Sequence, residues 1–132
     1  MAEHIEISLP AQAPSLSFVR LNVGAIAAGM ELGIDELEDL QLAVEELCLM
    51  LLRPHATAAG RLHLFAEWDA DALEVRCRLT GVDAAASAPA DGVPAELSRQ
   101  ILEALVDEHG ESDEDGIPIA WLKKRREQAA SA

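Results

Sequence analysis

The feature that most constrains the fold is a change in the spacing of apolar residues along the chain. Between residues 35 and 53 the apolar side chains recur every three or four positions, which is the period of an amphipathic helix. From residue 62 to residue 79 they alternate with polar side chains, which is the period of a half-buried strand. We therefore expect a helical layer packed against a β-sheet.

The helical period predicts two helices. Ser15 is placed to cap the first, which ends near Gly29. In the second, Asp35 and Glu38 resemble a capping box, and Pro54 ends the helix. The apolar stripes of the two helices are Leu16, Val19, Val23, Ile26 and Ala27, and then Leu37, Leu40, Val44, Leu47 and Leu51.

Three segments show the strand period. Ile5, Ile7 and Leu9 alternate with polar residues ahead of a proline, which predicts a short first strand. Two longer runs flank the D-A-D-A turn at residues 69–72 and predict a hairpin. The inward positions of this hairpin are Leu62, Leu64, Ala66, Leu73, Val75, Cys77 and Leu79.

The last third of the chain predicts a loop, a helix and a strand. Residues 82–93 are rich in Ala, Asp, Ser, Gly and Pro and have no period, which indicates a loop. A helix is predicted over 94–109, an acidic turn over 111–116 and a last strand over 117–122. The core side of this helix is formed by Leu97, Ile101, Leu102 and Leu105.

The order strand, helix, helix, strand, strand, helix, strand is typical of an α+β fold. It predicts a two-layer α/β sandwich with a mixed β-sheet and helices on one face. A chain of 132 residues is long enough for one hydrophobic core. We expect a single domain over residues 1–125 and a frayed C-terminal tail over 126–132.

The charge balance excludes some classes of partner. Twenty-four acidic residues against 10 basic ones give a net charge of −14, which repels nucleic acids and anionic membranes. A basic protein is a better fit, although solubility alone also accounts for the acidity. No apolar run approaches the roughly 20 residues of a membrane helix, and the polar start does not resemble a signal peptide. We expect a cytoplasmic protein.

The cysteines and histidines do not predict a metal site. Cys48 and Cys77 lie among Leu and Val on the predicted second helix and hairpin, so we expect buried, reduced thiols. The histidines are scattered without the spacing of metal ligands. They are His4, His55, His63 and His109.

Residues 5–56 carry a recognisable pattern. They begin with I-E-I-S-L-P-A-Q, continue through S-F-V-R-L and end with G-I-D-E-L-E-D-L-Q-L-A-V-E-E-L-C-L-M-L-L-R-P-H-A. This segment resembles the bacterial anti-sigma factor serine kinases, a branch of the histidine-kinase-like ATPase superfamily. The resemblance weakens after residue 79 and recovers at I-L-E-A-L-V-D-E and G-I-P-I-A-W-L-K-K. It implies the histidine-kinase-like ATPase fold.

The same resemblance implies a degenerate ATP site. In the family pattern a helical Glu is followed four residues later by an Asn that holds Mg²⁺. Glu46 occupies the general-base position, but Met50 stands in place of the Asn, and a thioether is a poor ligand for Mg²⁺. Leu79 replaces the Asp that reads adenine, and Gly81 matches the first Gly of the D-x-G-x-G box, with Asp83 at the second.

The phosphate-binding turn of the family is also altered. Counting back from L-V-D-E at 105–108 places Ala95, Glu96, Leu97 and Ser98 where the family has G-G-L-G. Only Gly lets a backbone approach phosphate closely, and Glu96 brings negative charge there. An alternative anchor at residues 91–92 offers a single Gly. We expect no bound cofactor and no confident catalytic residue.

The resemblance implies a regulator of transcription of the stress-response kind. Such a protein binds a sigma factor, an anti-anti-sigma protein or both, and forms a homodimer. Arg20 of S-F-V-R falls at a family recognition position, although it is equally well explained as one surface cation among ten. An acidic cluster at the turn into the second helix is a second candidate partner surface. It contains Glu31, Asp35, Glu36, Glu38 and Asp39.

Two other functions remain open at this point. One is an active kinase that uses ATP and Mg²⁺ to phosphorylate a serine of an anti-anti-sigma factor. The other is a decoy or dimerisation module that binds no sigma factor. Ile5, Ile7 and Leu9 could form a dimer surface or belong to the core.

Overall fold

The computed structural model describes residues 2–55, 59–82 and 95–127. The helices are α1 (Leu16–Gly29), α2 (Ile34–Leu52) and α3 (Ala95–Leu105). The strands are β1 (Glu3–Pro10), β2 (Arg61–Trp68), β3 (Ala72–Thr80), β4 (Glu108–Glu114) and β5 (Ile117–Arg125). Short 3₁₀ turns precede α1 and follow α2. Nearly all of the predicted loop at 82–93, with Asp83 and the alternative anchor at 91–92, lies outside the described residues.

The five strands form one sheet in the order β1-β2-β3-β5-β4, and the helices cover one of its faces. Helices α1 and α2 pack on each other, and α2 contacts β3, β5 and α3. The predicted α+β fold with two layers is confirmed. This arrangement places α2 at the centre of the helical layer, between α1 on one side and α3 on the other.

The expectation of a mixed sheet is wrong, because each pair of neighbouring strands in the described part of the chain is antiparallel. The error follows from a missed strand. Without β4, the path β3-α3-β5 looks like a crossover between parallel strands. In the structure α3 leads into β4 at the sheet edge, and a hairpin then returns β5 antiparallel between β3 and β4.

Strand β4 occupies residues for which the sequence predicted helix and turn. Helix α3 ends at Leu105 rather than at His109, and His109 lies in β4. The strand E-H-G-E-S-D-E has no apolar alternation because it lies at the edge of the sheet, where charged side chains also oppose pairing with another chain. The predicted last strand is longer than expected, since β5 continues past residue 122 to Arg125.

The predicted apolar stripes form the core. The inward residues of α1, β2 and β3 are buried, and so are those of α2 except the half-buried Leu37. Ile5, Ile7 and Leu9 of β1 are half-buried and pack against this core. Among the described residues, no helix combines the length and the apolar character needed to cross a membrane.

The two cysteines are free and fully buried, as expected. The sulfur atoms of Cys48 on α2 and Cys77 on β3 lie 3.6 Å apart. Hydrogen bonding to Cys48, together with burial, raises the pKa of the Cys77 thiol well above its usual range. These thiols therefore behave as small apolar side chains between the helical layer and the sheet.

Ser15 occupies the N-cap position of α1, as predicted, but its side chain makes no capping hydrogen bond, and the predicted cap of α2 is wrong. Ser15 has helical backbone angles, and its hydroxyl donates to the carbonyl oxygen of Pro10 at 2.7 Å, because a 3₁₀ turn precedes α1. Helix α2 begins two residues earlier than the capping box predicts, with Gly33 rather than Asp35 in the N-cap position. Asp35 then lies in the first turn, where the helix dipole favours a carboxylate.

Candidate functional site

The side of α2 that faces α3 carries the candidate site. Glu46, Met50 and Arg53 are spaced four and three residues apart, which places them on one side of the helix and its 3₁₀ extension. The neighbouring Glu45 points to the opposite side and pairs with Arg20 of α1. Of these two adjacent glutamates, Glu46 is the one that faces α3, and it is also the one that the family pattern singles out.

Ser98 connects the two charged residues of this side to α3. Its hydroxyl donates to Oε2 of Glu46 at 3.0 Å and accepts from Nη1 of Arg53 at 3.0 Å. The Arg53 guanidinium lies 3.7 Å from the same carboxylate oxygen. We call Glu46, Arg53 and Ser98 the α2–α3 cluster.

The α2–α3 cluster is withdrawn from solvent. Ser98 is fully buried, and the side chains of Glu46 and Arg53 are only 13% and 17% exposed. Buried polar groups are costly unless they are hydrogen-bonded, and here the hydroxyl uses both its donor and its acceptor capacity. The cluster therefore ties α3 to α2, and it keeps the Ser98 hydroxyl away from any dissolved substrate.

Sequence reasoning placed Ser98 in a phosphate-binding turn and Leu97 in the core. In the structure both residues lie within α3, Ser98 is buried, and Leu97 is 47% exposed. The expectation for Leu97 is therefore wrong. Arg53 was not predicted at all, although its helical spacing from Glu46 could have indicated it.

Two positions that the resemblance assigns to ATP binding hold buried apolar side chains. Met50 is 9% exposed and Leu79 is 1% exposed, and both belong to the hydrophobic core. Leu79 lies on the inward face of β3, directly opposite Leu62 of β2. Neither side chain offers an oxygen to a metal ion or an acceptor to a purine.

Gly81 directly follows β3 and has a backbone angle φ of 73°, in the left-handed region that favours glycine. A Cβ atom at this position would lie 3.3 Å from the Cα atom of Gly60. A close approach of two backbone segments therefore explains this glycine without a ligand.

Glu96 lies in the first turn of α3, in line with its predicted place ahead of Ser98. Its carboxylate is exposed and lies 3.7 Å from the guanidinium of Arg99, one turn along the helix. Arg99 also donates to Glu111 of β4 at 2.7 Å. These contacts tie the start of α3 to the edge strand.

The predicted partner residues lie elsewhere in the helical layer. Arg20 is exposed on α1, and Gln41 of α2 donates to its carbonyl oxygen at 3.0 Å. Glu38 and Asp39 are exposed, whereas Glu36 is half-buried and its Oε2 atom has no hydrogen-bond partner among the described residues. The structure thus exposes three of the four predicted partner residues.

Large apolar side chains on the outer surface of the helical layer were not predicted. Phe18 is 56% and Leu21 is 69% exposed, on either side of Arg20 in α1. Leu42 of α2 is 44% exposed. All three lie outside the predicted apolar stripes, and this was a signal in the sequence.

Comparison with known proteins gives the chain a distant set of relatives. Over 47 residues, 36% of this chain and 29% of the relative, it is 40% identical to the serine-protein kinase RsbW of Bacillus subtilis (strain 168). Over 81 residues, 61% of this chain and 51% of the relative, it is 27% identical to RsbW of Bacillus cereus (strains B4264 and G9842). Over part of its length, the chain is thus distantly similar to the RsbW serine-protein kinases. No protein-family model matches it.

The matches span about half of the RsbW relatives' length or less. They agree with the kinase family that the sequence pattern indicates. The loss of the ATP site is not tested by this similarity and stays a prediction.

Proposed function

We propose that this chain is an anti-sigma-factor-like regulatory protein that acts by protein contact and has lost ATP binding and kinase activity. The observation that carries the proposal is the α2–α3 cluster. Oε2 of its carboxylate, Glu46, accepts a hydrogen bond from Ser98 and lies 3.7 Å from Arg53, so this oxygen is engaged within the protein instead of orienting water or an attacking hydroxyl.

The metal position supports the same proposal. Phosphoryl transfer depends on Mg²⁺ to neutralise the charge that develops on the phosphates. Met50 occupies the position at which the family resemblance places the metal-binding Asn, and its thioether is buried in the core. A hard cation requires oxygen ligands, which this side chain cannot supply.

The exposed apolar residues of α1 support binding of another protein. Solvent-exposed Phe18 and Leu21 lie one turn apart on α1, Arg20 precedes Leu21, and aromatic side chains and Arg are enriched in protein interfaces. Arg20 is already paired with Glu45, so a partner carboxylate would exchange with this internal one. We propose that this part of α1 contacts the sigma factor or the anti-anti-sigma protein.

The acidic start of α2 supports a sigma factor in particular. Sigma factors have basic regions that bind DNA and polymerase, and an acidic surface complements such a region. Exposed Glu38 and Asp39 and half-buried Glu36 would supply this surface. By the same resemblance we propose a cytoplasmic homodimer, for which light scattering should give twice the chain mass of 14.1 kDa.

The ATP test is calorimetry with Mg²⁺-ATP. We expect no saturable heat of binding, with RsbW of Bacillus subtilis as the positive control. Saturable binding that requires Mg²⁺ would overturn the proposal and favour an active kinase.

The partner test is capture of sigma factor by the immobilised protein, followed by affinity measurements at several salt concentrations. The triple variant Glu36→Gln, Glu38→Gln, Asp39→Asn should bind more weakly and with less salt dependence. A matched control removes three exposed acids elsewhere, Glu3→Gln, Glu67→Gln and Glu127→Gln. Equal effects of the two triple variants would exclude the acidic surface as the contact.

An active serine kinase is the second candidate, because the relatives are serine-protein kinases and Glu46 is retained. It predicts transfer of labelled phosphate from ATP to a serine of an anti-anti-sigma protein. The Glu46→Gln variant should then lose this transfer.

A further inference from the structure

The face of the sheet without helices carries a patch of arginines. Directly paired residues of neighbouring strands project to the same face, so the register assigns His63, Arg78 and Ile119 to one row. The next row holds Phe65, Arg76 and Trp121. The alternate residues of β2 and β3 are buried against the helices, which confirms that these rows face the other way.

These arginines differ from most of the other described arginines in their ion pairing, Arg126 being the exception. In the described part of the chain, Arg20, Arg53, Arg99 and Arg125 each have a carboxylate within 4 Å, in keeping with 24 acidic residues. Arg61 and Arg78 have none there, and Arg76 reaches only Glu74 of its own strand, at 3.9 Å. Among the described residues, Arg61 and Arg78 thus lie on one surface without a carboxylate within 4 Å, and Arg76 beside them has only the distant Glu74.

The positive charge of this patch affects the neighbouring imidazole of His63. The pKa of His63 is lowered, first by burial and then by the positive charges of Arg78 and Arg61. Its imidazole contacts the hydroxyl of Thr80 at 2.7 Å, which holds it between the two arginines. Arg61 and Arg78 are therefore both close enough to His63 to influence its protonation.

Two arginines of the patch, Arg76 and Arg78, line an open groove of about 570 Å³ that crosses β1, β2, β3 and β5. Its apolar part is formed by Phe65, which is 37% exposed, and by Ile119, which is buried yet not part of the core cluster. Arg76 and Arg78 line it in the middle of the sheet, and Glu6 and Glu114 line it from β1 and β4. From β1 to β5 the groove spans three interstrand spacings of about 4.8 Å each. An extended peptide that crosses the strands would place roughly four residues in this width.

We infer that this groove binds an acidic, partly apolar segment of a partner protein. Carboxylates of the segment pair with Arg76 and Arg78, whose planar guanidinium groups match them, and an apolar side chain packs on Phe65 and Ile119. A second copy of this chain fits less well. Arg76 and Arg78 lie on the central strand, so a two-fold contact centred on this face brings like charges together at its axis.

The experiment uses a fluorescein-labelled peptide, Glu-Leu-Glu-Leu-Glu, and a matched peptide in which Gln replaces Glu. Anisotropy should show binding of the acidic peptide and at least about tenfold weaker binding by the Arg76→Gln/Arg78→Gln variant at low salt. The control variant Arg99→Gln, which removes an arginine far from the groove, should change the affinity by less than about twofold. In amide spectra of the ¹⁵N-labelled protein, the peptide should shift signals of β2 and β3 and leave those of α1 unchanged.

Several results would overturn the inference. They are equal binding of the Gln peptide, an unchanged affinity of the double variant, and spectral shifts confined to α1 and α2. A change of oligomeric state in the double variant would assign the face to a second copy instead. Both substituted side chains are exposed, so the variant should keep its fold, which its melting temperature checks. The outcome is independent of the ATP and sigma-factor tests.

Discussion

At the scale of single residues, one hydroxyl group joins two charged side chains that would otherwise be poorly matched. Arg53 and Glu46 are 3.7 Å apart, which is too long for a hydrogen bond, and Ser98 bridges them at 3.0 Å on each side. We expect Ser98→Ala to lower the free energy of unfolding by about 1–3 kcal/mol, because both charged groups lose a buried partner. Urea denaturation measures this, and Ser112→Ala, at an exposed serine of β4, is the control.

The same cluster predicts a non-additive pair of substitutions. Arg53→Met alone leaves the Glu46 carboxylate largely buried without its cation, and this should cost about 3 kcal/mol of stability. The double variant Glu46→Leu/Arg53→Met removes both charges and should be more stable than the single variant. If the double variant is less stable than Arg53→Met alone, the buried charges stabilise the fold, contrary to this expectation.

Sequence reasoning found part of this cluster. It singled out Glu46 from the family pattern, and the position of Glu46 in α2 determines which side of that helix it faces. It could not place Ser98 against Arg53, since 45 positions separate them and the contact depends on how α3 is rotated about its axis. That rotation buries Ser98 and exposes Leu97, against the simple apolar pattern.

At the scale of elements, the β4–β5 hairpin decides the topology. Asp115 and Gly116 both have positive φ, 54° and 84°, which is the pattern of a two-residue type I′ turn. The amide of Gly116 also donates to the Asp113 carboxylate at 2.8 Å. The dipeptide Asp-Gly was the signal for this hairpin in the sequence, and the acidic strand beside it concealed the signal.

The turn gives a test of this hairpin. Gly116→Ala should lower the free energy of unfolding by about 1–2 kcal/mol, because a Cβ atom is unfavourable at φ of 84°. Asp115→Asn should stay within about 0.5 kcal/mol, since Asn tolerates the left-handed region. No atom lies within 4 Å of the added Cβ at Gly116, so a loss of stability reports backbone strain rather than a clash.

The predicted elements divide according to burial. Helices α1 and α2 and strands β1, β2 and β3 could be predicted because each buries one face, and the spacing of apolar residues records that face. Strand β4 is an edge strand whose stability comes from pairing with β5, and pairing leaves little trace in side-chain pattern. Because this one strand was missed, the sequence predicted a mixed sheet, whereas the described sheet is antiparallel.

At the scale of the whole molecule, charge is unevenly distributed, although Glu6, Glu74 and Glu114 lie near the arginines of the bare face. Acidic residues cluster at the start of α2 in the helical layer, whereas Arg61, Arg76 and Arg78 gather on the bare face of the sheet. A net charge of −14 still makes the protein repel itself. Two electrostatic effects therefore compete when salt is added, since salt screens both this repulsion and the favourable ion pairs.

The repulsion should prevail. The exposed ion pairs, such as Arg20 with Glu45, contribute only about 0–1 kcal/mol each, so their screening costs little. Raising KCl from about 10 mM to 200 mM shortens the screening length from roughly 30 Å to below 10 Å and should raise the melting temperature by about 3 °C. The variant Glu38→Gln/Asp39→Asn should show a smaller rise, and Arg78→Gln a larger one. A melting temperature that falls with salt in all three proteins would mean that the ion pairs, rather than the net charge, dominate the electrostatics of this fold.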